Sequence, residues 1–267
     1  MSFPQTFTDQ MGREIHLPAR PQRIVSLVPS QTELLHDLGL EHEVAGITKF
    51  CIHPESWFRS KKRVGGTKQL NFEAIRALQP DLIIGNKEEN EEEQVLALMN
   101  EFPVWMSDIR TLDDALAMIK ALGNITGTGE KAGAIAGDIR EKFSAFDREA
   151  ASFPEKTVAY FIWKNPFMVA GNGTFIHSML GRCGWKNVFS DLPGRYPEIT
   201  IQDLQEKNPE LVVLSSEPYP FAEKHVGEFS LHLPQSKVIV ADGEMFSWYG
   251  SRLRLAPGYF SALIKSL

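Results

Sequence analysis

The stretch NFEAIRALQPDLIIG, residues 71–85, has the pattern of a short helix, a proline and a buried strand. The same pattern returns at residues 200–214 as TIQDLQEKNPELVVL. Aligned without a gap, Pro80 falls on Pro209, Asp81 falls on Glu210, and the apolar run 82–84 falls on 211–213. One such match can arise by chance. Because these two lie near the same point of each half of the chain, they predict a duplicated architecture.

Apolar runs rich in valine and isoleucine alternate with helical patterns along both halves of the chain. Strands are predicted at 24–28, 44–47, 82–85, 104–106, 158–162, 211–214 and 238–240. Helices are predicted at 31–38, 72–78, 91–100, 112–122, 175–183, 201–207 and 252–265. Continuous rather than alternating apolar runs are typical of strands covered on both faces. The sequence therefore predicts an α/β fold with mainly parallel sheets and crossover helices.

One long amphipathic segment, residues 130–153, lies between the two halves. Its apolar positions advance by three or four residues, as a single helical stripe does: Ile135, Ile139, Phe143, Phe146, Ala150 and Phe153. At 1.5 Å per residue such a helix is roughly 35 Å long. We predict two Rossmann-like lobes, 1–125 and 156–267, joined by one long backbone helix within 126–155. A ligand is then expected in the cleft where the carboxyl ends of the strands meet.

Composition narrows the class of protein. A formal net charge of −6 argues against a nucleic-acid-binding surface, which needs a concentrated basic face. No apolar run approaches the ~18 residues of a membrane-spanning helix. The N-terminal sequence has no basic head followed by an apolar block, which predicts either a cytoplasmic protein or an envelope protein whose targeting segment was removed. Cys51 and Cys183 fit one long-range disulfide or two free, buried thiols equally well.

Aromatic residues recur in the loops that follow the predicted strands. Ser30 or Thr32 is predicted to cap the helix after the first strand. Four other loops are rich in aromatic side chains, and prolines stiffen several of the loops. This pattern indicates a broad, flat, partly apolar ligand held by aromatic walls with Arg252 or Glu217 as polar contacts. The candidate ligand-binding residues are Phe50, His53, Trp57, Trp163, Tyr219, Trp248, Tyr249 and Arg252.

Catalytic and metal-binding alternatives have weaker sequence support. Cys51 and His53 could form a Cys/His catalytic pair, but side chains two residues apart in an extended segment point to opposite sides. A zinc or manganese receptor would need three or four converging His, Asp or Glu side chains, and the histidines are scattered. No nucleophile, base and orienting group emerge together. We therefore predict binding rather than catalysis, with no catalytic residue, no metal ligand and no covalent cofactor.

Four segments carry a resemblance to a known family: RIVSLVPSQTELLHDLGL, RVGGTKQLNFEAIRALQPDLIIG, the helix at 130–153, and NPELVVLSSEPYPF. They resemble the substrate-binding proteins of bacterial ABC importers whose lobes are joined by one rigid helix. That family includes receptors for cobalamin, ferric siderophores and haem, and the first lobe is most similar to the cobalamin receptors. The resemblance covers nearly all of the chain from about Phe7 onward.

The resemblance implies a monomeric, non-catalytic receptor that binds a metal chelate, most simply a corrinoid, and that docks to an ABC transporter permease. In the family an acidic residue on each lobe contacts permease arginines. Glu73 matches that position in the first lobe. The repeat of residues 71–85 at 200–214 places Gln202 at the equivalent position, with Asp203 next to it. The location implied is the periplasm or cell envelope; a cytoplasmic corrinoid-binding protein is the alternative.

Overall fold

The computed structural model describes residues 3–267. Met1 and Ser2, on which part of the targeting-segment expectation rests, lie outside the described residues. The chain divides into two compact units. Unit 1 contains the chain up to Ile109, Asp113–Arg140 and Tyr249–Arg254, and unit 2 contains Arg110–Leu112, Glu141–Trp248 and Leu255–Leu267. The predicted boundaries at residues 125 and 155 place Tyr249–Arg254 in the second lobe, whereas in the structure this segment belongs to unit 1.

Unit 1 is built around a parallel sheet of the strands β3 (Ile24–Ser26), β4 (Val44–Ile47), β5 (Lys62–Arg63), β6 (Leu82–Asn86) and β7 (Val104–Ser107). Their order in the sheet is β5-β4-β3-β6-β7. A separate antiparallel hairpin consists of β1 (Gln5–Thr8) and β2 (Glu14–Leu17). The helices are α1 (Pro29–Asp37), α2 (Glu55–Ser60), α3 (Phe72–Leu78), α4 (Glu92–Met99) and α5 (Leu112–Thr126).

Unit 2 repeats the same core with additions. Strands β8 (Lys156–Trp163), β10 (Trp185–Asn187), β12 (Leu211–Ser215) and β13 (Lys237–Ala241) are parallel, in the order β10-β8-β12-β13. Strands β9 (Phe167–Val169) and β11 (Glu198–Ile199) extend the sheet beside β8 in antiparallel pairs. Its helices are α7 (Phe175–Arg182), α8 (Ile201–Lys207), α9 (Glu223–His232), α10 (Gly243–Ser247) and α11 (Ala256–Lys265). The α/β class and the mainly parallel sheets are confirmed.

Helix α6 (Gly129–Ala150) begins in unit 1 and ends in unit 2. Its 22 residues correspond to about 33 Å, close to the predicted length. The predicted apolar stripe is confirmed at Ile139, Phe143, Phe146 and Ala150, which are all buried. Within unit 2, Phe146 packs against Phe260 of α11 at a ring-centroid distance of 5.8 Å.

The repeated sequence segments 71–85 and 200–214 share features of the backbone. Helices α3 and α8 both span seven residues, and the side chains of Asn71 and Thr200 cap them by accepting the N–H of the third helical residue. Both helices end at a left-handed residue before the aligned proline, Gln79 with φ 45° and Asn208 with φ 39°. Proline disfavours the right-handed helical conformation at the residue before it, so each helix ends at this left-handed residue.

The acidic residues after the two prolines, Asp81 and Glu210, both accept backbone N–H groups near the start of a central strand. Asp81 accepts the backbone N–H groups of Gln22 and Arg23 at 2.7 and 2.8 Å, just before β3. Glu210 accepts the backbone N–H of Thr157 at 2.8 Å, at the start of β8. Each carboxylate thus fixes the start of the neighbouring central strand. The predicted duplication is confirmed by these features.

Two sequence predictions about helix ends were wrong. Neither Ser30 nor Thr32 caps α1, because the helix already begins at Pro29 and its N-cap position is Val28. Thr32 lies one turn inside the helix, where its buried hydroxyl donates to the Val28 carbonyl at 2.9 Å. The helix predicted over 252–265 is interrupted. Ser251–Arg254 forms a 3-10 turn, and α11 begins separately with Pro257 in its first turn, where proline is tolerated.

Candidate functional site

Buried polar side chains lock the carboxyl ends of the unit 1 strands together. Gln31 donates to Ser107 Oγ at 2.6 Å, and the Asn86 amide donates to the same oxygen at 3.0 Å. Asn90 accepts the backbone N–H of Asn86 at 2.9 Å and donates to the carbonyl of Thr67 at 3.1 Å. All four side chains are buried. Because a buried polar group without a partner is costly, this network holds the strand-end loops in one arrangement.

Phe50 is the predicted residue that unit 1 exposes most clearly. It follows β4, and 51% of its surface is exposed, which is unusual for a phenylalanine. Lys49 Nζ lies 5.1 Å from its ring centroid, and Gly66 leaves room beside both side chains. His53 is half-buried in the same loop. The structure therefore keeps Phe50 available as a ligand contact at the carboxyl edge of the sheet.

The structure places Trp57 in the core of unit 1 instead of on its surface. The side chain has no exposed area, and its Nε1 donates to the carboxylate of Glu41. His36 meets the indole edge-on with ring centroids 5.3 Å apart. With no surface to offer a ligand, Trp57 is removed from the predicted set of contacts. Its position on one face of the short helix α2 accounts for its burial.

The surroundings of Cys51 do not favour the Cys/His catalytic alternative. Cys51 is fully buried, and Thr32 Oγ1 and Thr48 Oγ1 each lie 3.1 Å from its sulfur. Burial raises the pKa of the Cys51 thiol, which disfavours the nucleophilic thiolate. Cys183 is also a free, buried thiol. Of the two alternatives for the cysteines, the structure has the free thiols.

Trp163 and Tyr219 form an aromatic pair at the carboxyl edge of unit 2. Trp163 is the last residue of β8, and Tyr219 lies in the loop after the adjacent strand β12. Their rings meet edge-on with centroids 5.6 Å apart. Trp163 is 39% exposed, and its Nε1 donates to the Asn165 carbonyl at 3.1 Å. With the indole N–H already bonded, the exposed face is an apolar surface.

Tyr219 is held from behind by further rings. Its centroid lies 4.6 Å from that of Phe221 and 5.8 Å from that of His225. His225 in turn accepts the backbone N–H of Ala222 through Nδ1 at 3.0 Å. The loop is therefore well packed where it carries the half-buried Tyr219, which is favourable for binding because little side-chain freedom is lost.

Glu217 and Trp248 of unit 2 are hydrogen-bonded to each other. Glu217 Oε1 accepts Trp248 Nε1 at 2.8 Å and Ser247 Oγ at 2.6 Å. Burial raises the pKa of the Glu217 carboxyl above its ordinary value of 4.5. Trp248 is only 6% exposed. Of the predicted contacts, Trp248 is thus mainly part of the packing that fixes α10.

Tyr249 and Arg252 belong to the segment that returns to unit 1. Tyr249 is buried. The Arg252 guanidinium donates to both oxygens of Glu33 on α1, at 2.8 and 2.6 Å. This bidentate pair fastens the segment to α1. The structure therefore gives Arg252 a structural contact that the sequence did not indicate, since Glu33 lies 219 residues away.

The two helices of the repeat, α3 and α8, expose their second residues to solvent. Glu73 and Gln202 are both exposed at equivalent positions of α3 and α8. Asp203 is the third residue of α8, and its carboxylate accepts the backbone N–H and the hydroxyl of Thr200, both at 2.7 Å. These hydrogen bonds lower the pKa of Asp203. Asp203 is thus engaged in capping its own helix.

The described residues were also compared with the requirements of a metal site and of a membrane-spanning helix. Within residues 3–267, no three His, Cys, Asp or Glu side chains are grouped as ligands of a metal ion would be. In the same range, no helix has both the length and the apolar character needed to traverse a bilayer.

Sequence reasoning missed the buried amides Gln31, Asn86 and Asn90, and it missed the loop after β10. The amides could have been found as polar residues next to apolar strand runs. The loop could not, because β10 has only three residues and no apolar run. Two α/β units that present aromatic and polar groups beyond the carboxyl ends of parallel strands are typical of proteins that bind a small ligand.

Comparison with known proteins agrees with this class. A family profile described as periplasmic binding protein matches residues 24–230, well over half of the chain. The chain belongs to the periplasmic binding protein family, and the resemblance found in the sequence is confirmed. It is 26% identical over 242 residues to the vitamin B12-binding protein of Pectobacterium carotovorum subsp. carotovorum (strain PC1), covering 89% of this chain and 86% of that protein.

Solved structures share the fold. The periplasmic vitamin B12 binding protein BtuF of Vibrio cholerae superposes with a TM-score of 0.81 at 22% identity, covering 92% of this chain and 98% of that one. A periplasmic haem-binding protein from Pseudomonas aeruginosa superposes with a TM-score of 0.79 at 24% identity, covering 91% and 92%. At these identities the likeness establishes the architecture, and the ligand must be argued from the side chains.

Proposed function

We propose that this chain is the substrate-binding protein of an ABC importer and that its substrate is a metal chelate, in the first place cobalamin or another corrinoid. The observation that carries the proposal is the Trp163–Tyr219 pair at the carboxyl edge of unit 2, in which Trp163 is exposed and the half-buried Tyr219 supports it. Aromatic walls of this kind suit a broad, partly apolar ring system. The vitamin B12-binding relative from Pectobacterium supports the choice of a corrinoid.

Phe50 is the proposed contact from unit 1, since it is exposed on a loop after a strand of that sheet. The ligand binds without a covalent bond, and the protein acts as a receptor rather than as an enzyme. The buried Cys51 supports this, because burial raises the pKa of its thiol. The protein works as a monomer in the periplasm or cell envelope, which cell fractionation and light scattering would test; recovery in the cytoplasm would favour a cytoplasmic corrinoid-binding role.

Titration of the purified protein with cobalamin, cobinamide and haem tests the proposal. Calorimetry or tryptophan fluorescence should show saturable binding of a corrinoid at micromolar concentration or below. Haem is the second candidate, because the haem-binding protein from Pseudomonas aeruginosa shares the fold and a porphyrin is also flat and largely apolar. Absence of binding to every corrinoid, haem and ferric siderophore would reject the proposal.

Glu73 is the proposed contact with the permease. It is exposed on α3 and is not one of the proposed ligand contacts, so Glu73→Ala should lower ligand uptake by cells while the dissociation constant stays unchanged. Gln202→Ala is the matched variant at the equivalent position of α8, and its effect should be smaller because no charge is removed. If Glu73→Ala weakened uptake and ligand affinity to the same degree, the docking assignment would be wrong.

A further inference from the structure

A cavity of about 610 Å³, open to solvent, lies in unit 2 beside the loops that follow β9 and β10. Its lining includes Asn172 from the first loop and Ser190, Asp191 and Arg195 from the second. Arg110, which the chain contributes to unit 2 from a distant part of the sequence, completes the polar lining. Neither the sequence patterns nor the proposed aromatic contacts include this cavity.

The two loops are fastened to each other, so the cavity is preformed. Gly171 donates its backbone N–H to the carbonyl of Arg195 at 2.7 Å. A side chain at Gly171 would bring its Cβ within 2.8 Å of the Gly194 carbonyl oxygen, so this close approach requires glycine. From beneath, the buried Asn187 donates to the carbonyl of Ala170 at 2.7 Å and accepts the N–H of Phe189 at 3.0 Å.

The charge of the lining is positive. Arg110 is exposed and Arg195 is half-buried, and a guanidinium keeps its charge at any physiological pH. The acidic member, Asp191, forms an ion pair with Lys207 at 2.8 Å, and this hydrogen bond lowers its pKa. Lys207 therefore compensates Asp191. Each guanidinium has five N–H donors, so both arginines can bind a ligand oxygen in addition to the contacts they make within the protein.

We propose that this cavity binds an oxyanion substituent of the chelate, a carboxylate or a phosphate, through Arg110 and Arg195. The inference rests on the proposed function and makes it more specific, because it states that the preferred ligand carries an acidic group at the edge of its ring. Arginine pairs well with both groups because its planar donors match two oxygens at once. The amide of Asn172 and the hydroxyl of Ser190 are neutral groups that can contact the same oxyanion.

Two matched pairs of ligands test the inference by calorimetry. Cobinamide and cobinamide phosphate differ by one phosphate, and haem and its dimethyl ester differ by ionised carboxylates. In at least one pair the acidic member should bind on the order of tenfold more tightly, as expected for charge-assisted hydrogen bonds. Preference within the corrinoid pair identifies phosphate as the group, and preference within the porphyrin pair identifies carboxylate.

The double variant Arg110→Gln/Arg195→Gln should bring the ratio within that pair close to one while the member without the acidic group keeps its affinity. Lys186→Gln, which removes an exposed charge on β10 outside the cavity, should leave the ratio unchanged. Thermal unfolding of each variant checks the fold. Equal binding of both members by the unaltered protein, or equal loss of both in the double variant, overturns this inference alone. No binding of any of the four ligands overturns this inference, and if cobalamin and ferric siderophores also fail to bind, the proposed function is overturned together with it.

Discussion

Replacing Trp163 with alanine removes the larger exposed wall of the proposed ligand site. A tryptophan buries up to about 250 Å² and Trp163 is 39% exposed, so roughly 100 Å² is available for a ligand to cover. At about 25 cal/mol per Å² this contact contributes about 2.5 kcal/mol at most. We expect Trp163→Ala to raise the dissociation constant by about 10- to 60-fold, since every 1.4 kcal/mol is tenfold.

The neighbouring rings make this prediction specific. Tyr219 should stay in place in the variant, because Phe221 and His225 hold it from the other side. Trp163→Phe should lose less affinity than Trp163→Ala, because a smaller ring remains. Calorimetric titration is the suitable assay, since it does not depend on the fluorescence of the residue that is removed.

Leu231→Ala is the matched control for a lost exposed apolar side chain. Leu231 is 84% exposed on α9 of the same unit, and α9 leads into the amino end of β13. Its truncation should leave the dissociation constant unchanged. A dissociation constant for Trp163→Ala within twofold of the unaltered protein would refute the assignment of the aromatic pair as the ligand wall.

Two further predictions concern the groups that support the strand ends. Burial raises the pKa of the Glu217 carboxyl, so the folded state favours its protonated form, and the contribution of this group to stability is lost as pH rises above the ordinary value of 4.5. Glu217→Gln should therefore flatten the pH dependence of thermal unfolding. An unchanged pH profile would contradict this prediction. Arg252→Met should lower the free energy of unfolding by about 2 kcal/mol, less than for a fully buried pair, because the Glu33 carboxylate is left at 18% exposure without its bidentate partner. Adding Glu33→Gln should recover part of that loss in urea unfolding, and no recovery would show that the pair is not the cause.

The core of the fold could be predicted because its signals are local. The runs that became β6 and β12 are apolar throughout, and both strands are fully buried. Helices α3 and α8 begin at a capping residue and end before a proline, so their bounds are written in adjacent residues. By contrast, β10 and β11 contain three and two residues. Such strands form because a neighbouring strand is already in place, which no short window of sequence reveals.

The candidate site was less predictable because an aromatic residue near a strand end can serve as ligand wall or as core. Trp57 and Trp163 both lie in segments that follow predicted strands, yet Trp57 is fully buried and Trp163 is 39% exposed. The difference depends on Glu41 and His36, which enclose the Trp57 indole. Similarly, the partner of Arg252 is a glutamate at the other end of the chain. Such pairings are set by the fold, so they are visible only in the structure.

The repeat itself shows where the two units are free to differ. Features that fix the backbone occur in both copies: the side-chain cap, the left-handed residue before proline, and the acid that holds the first central strand, Asp81 or Glu210. Their physical task is the same in each unit, so the same chemistry serves. The differences lie at the exposed Glu73 and Gln202 and at β9 and β11, which only unit 2 adds beside its central strand. Nothing in the folding of the repeat requires these differences, and they coincide with the surfaces to which we assign the permease and the ligand.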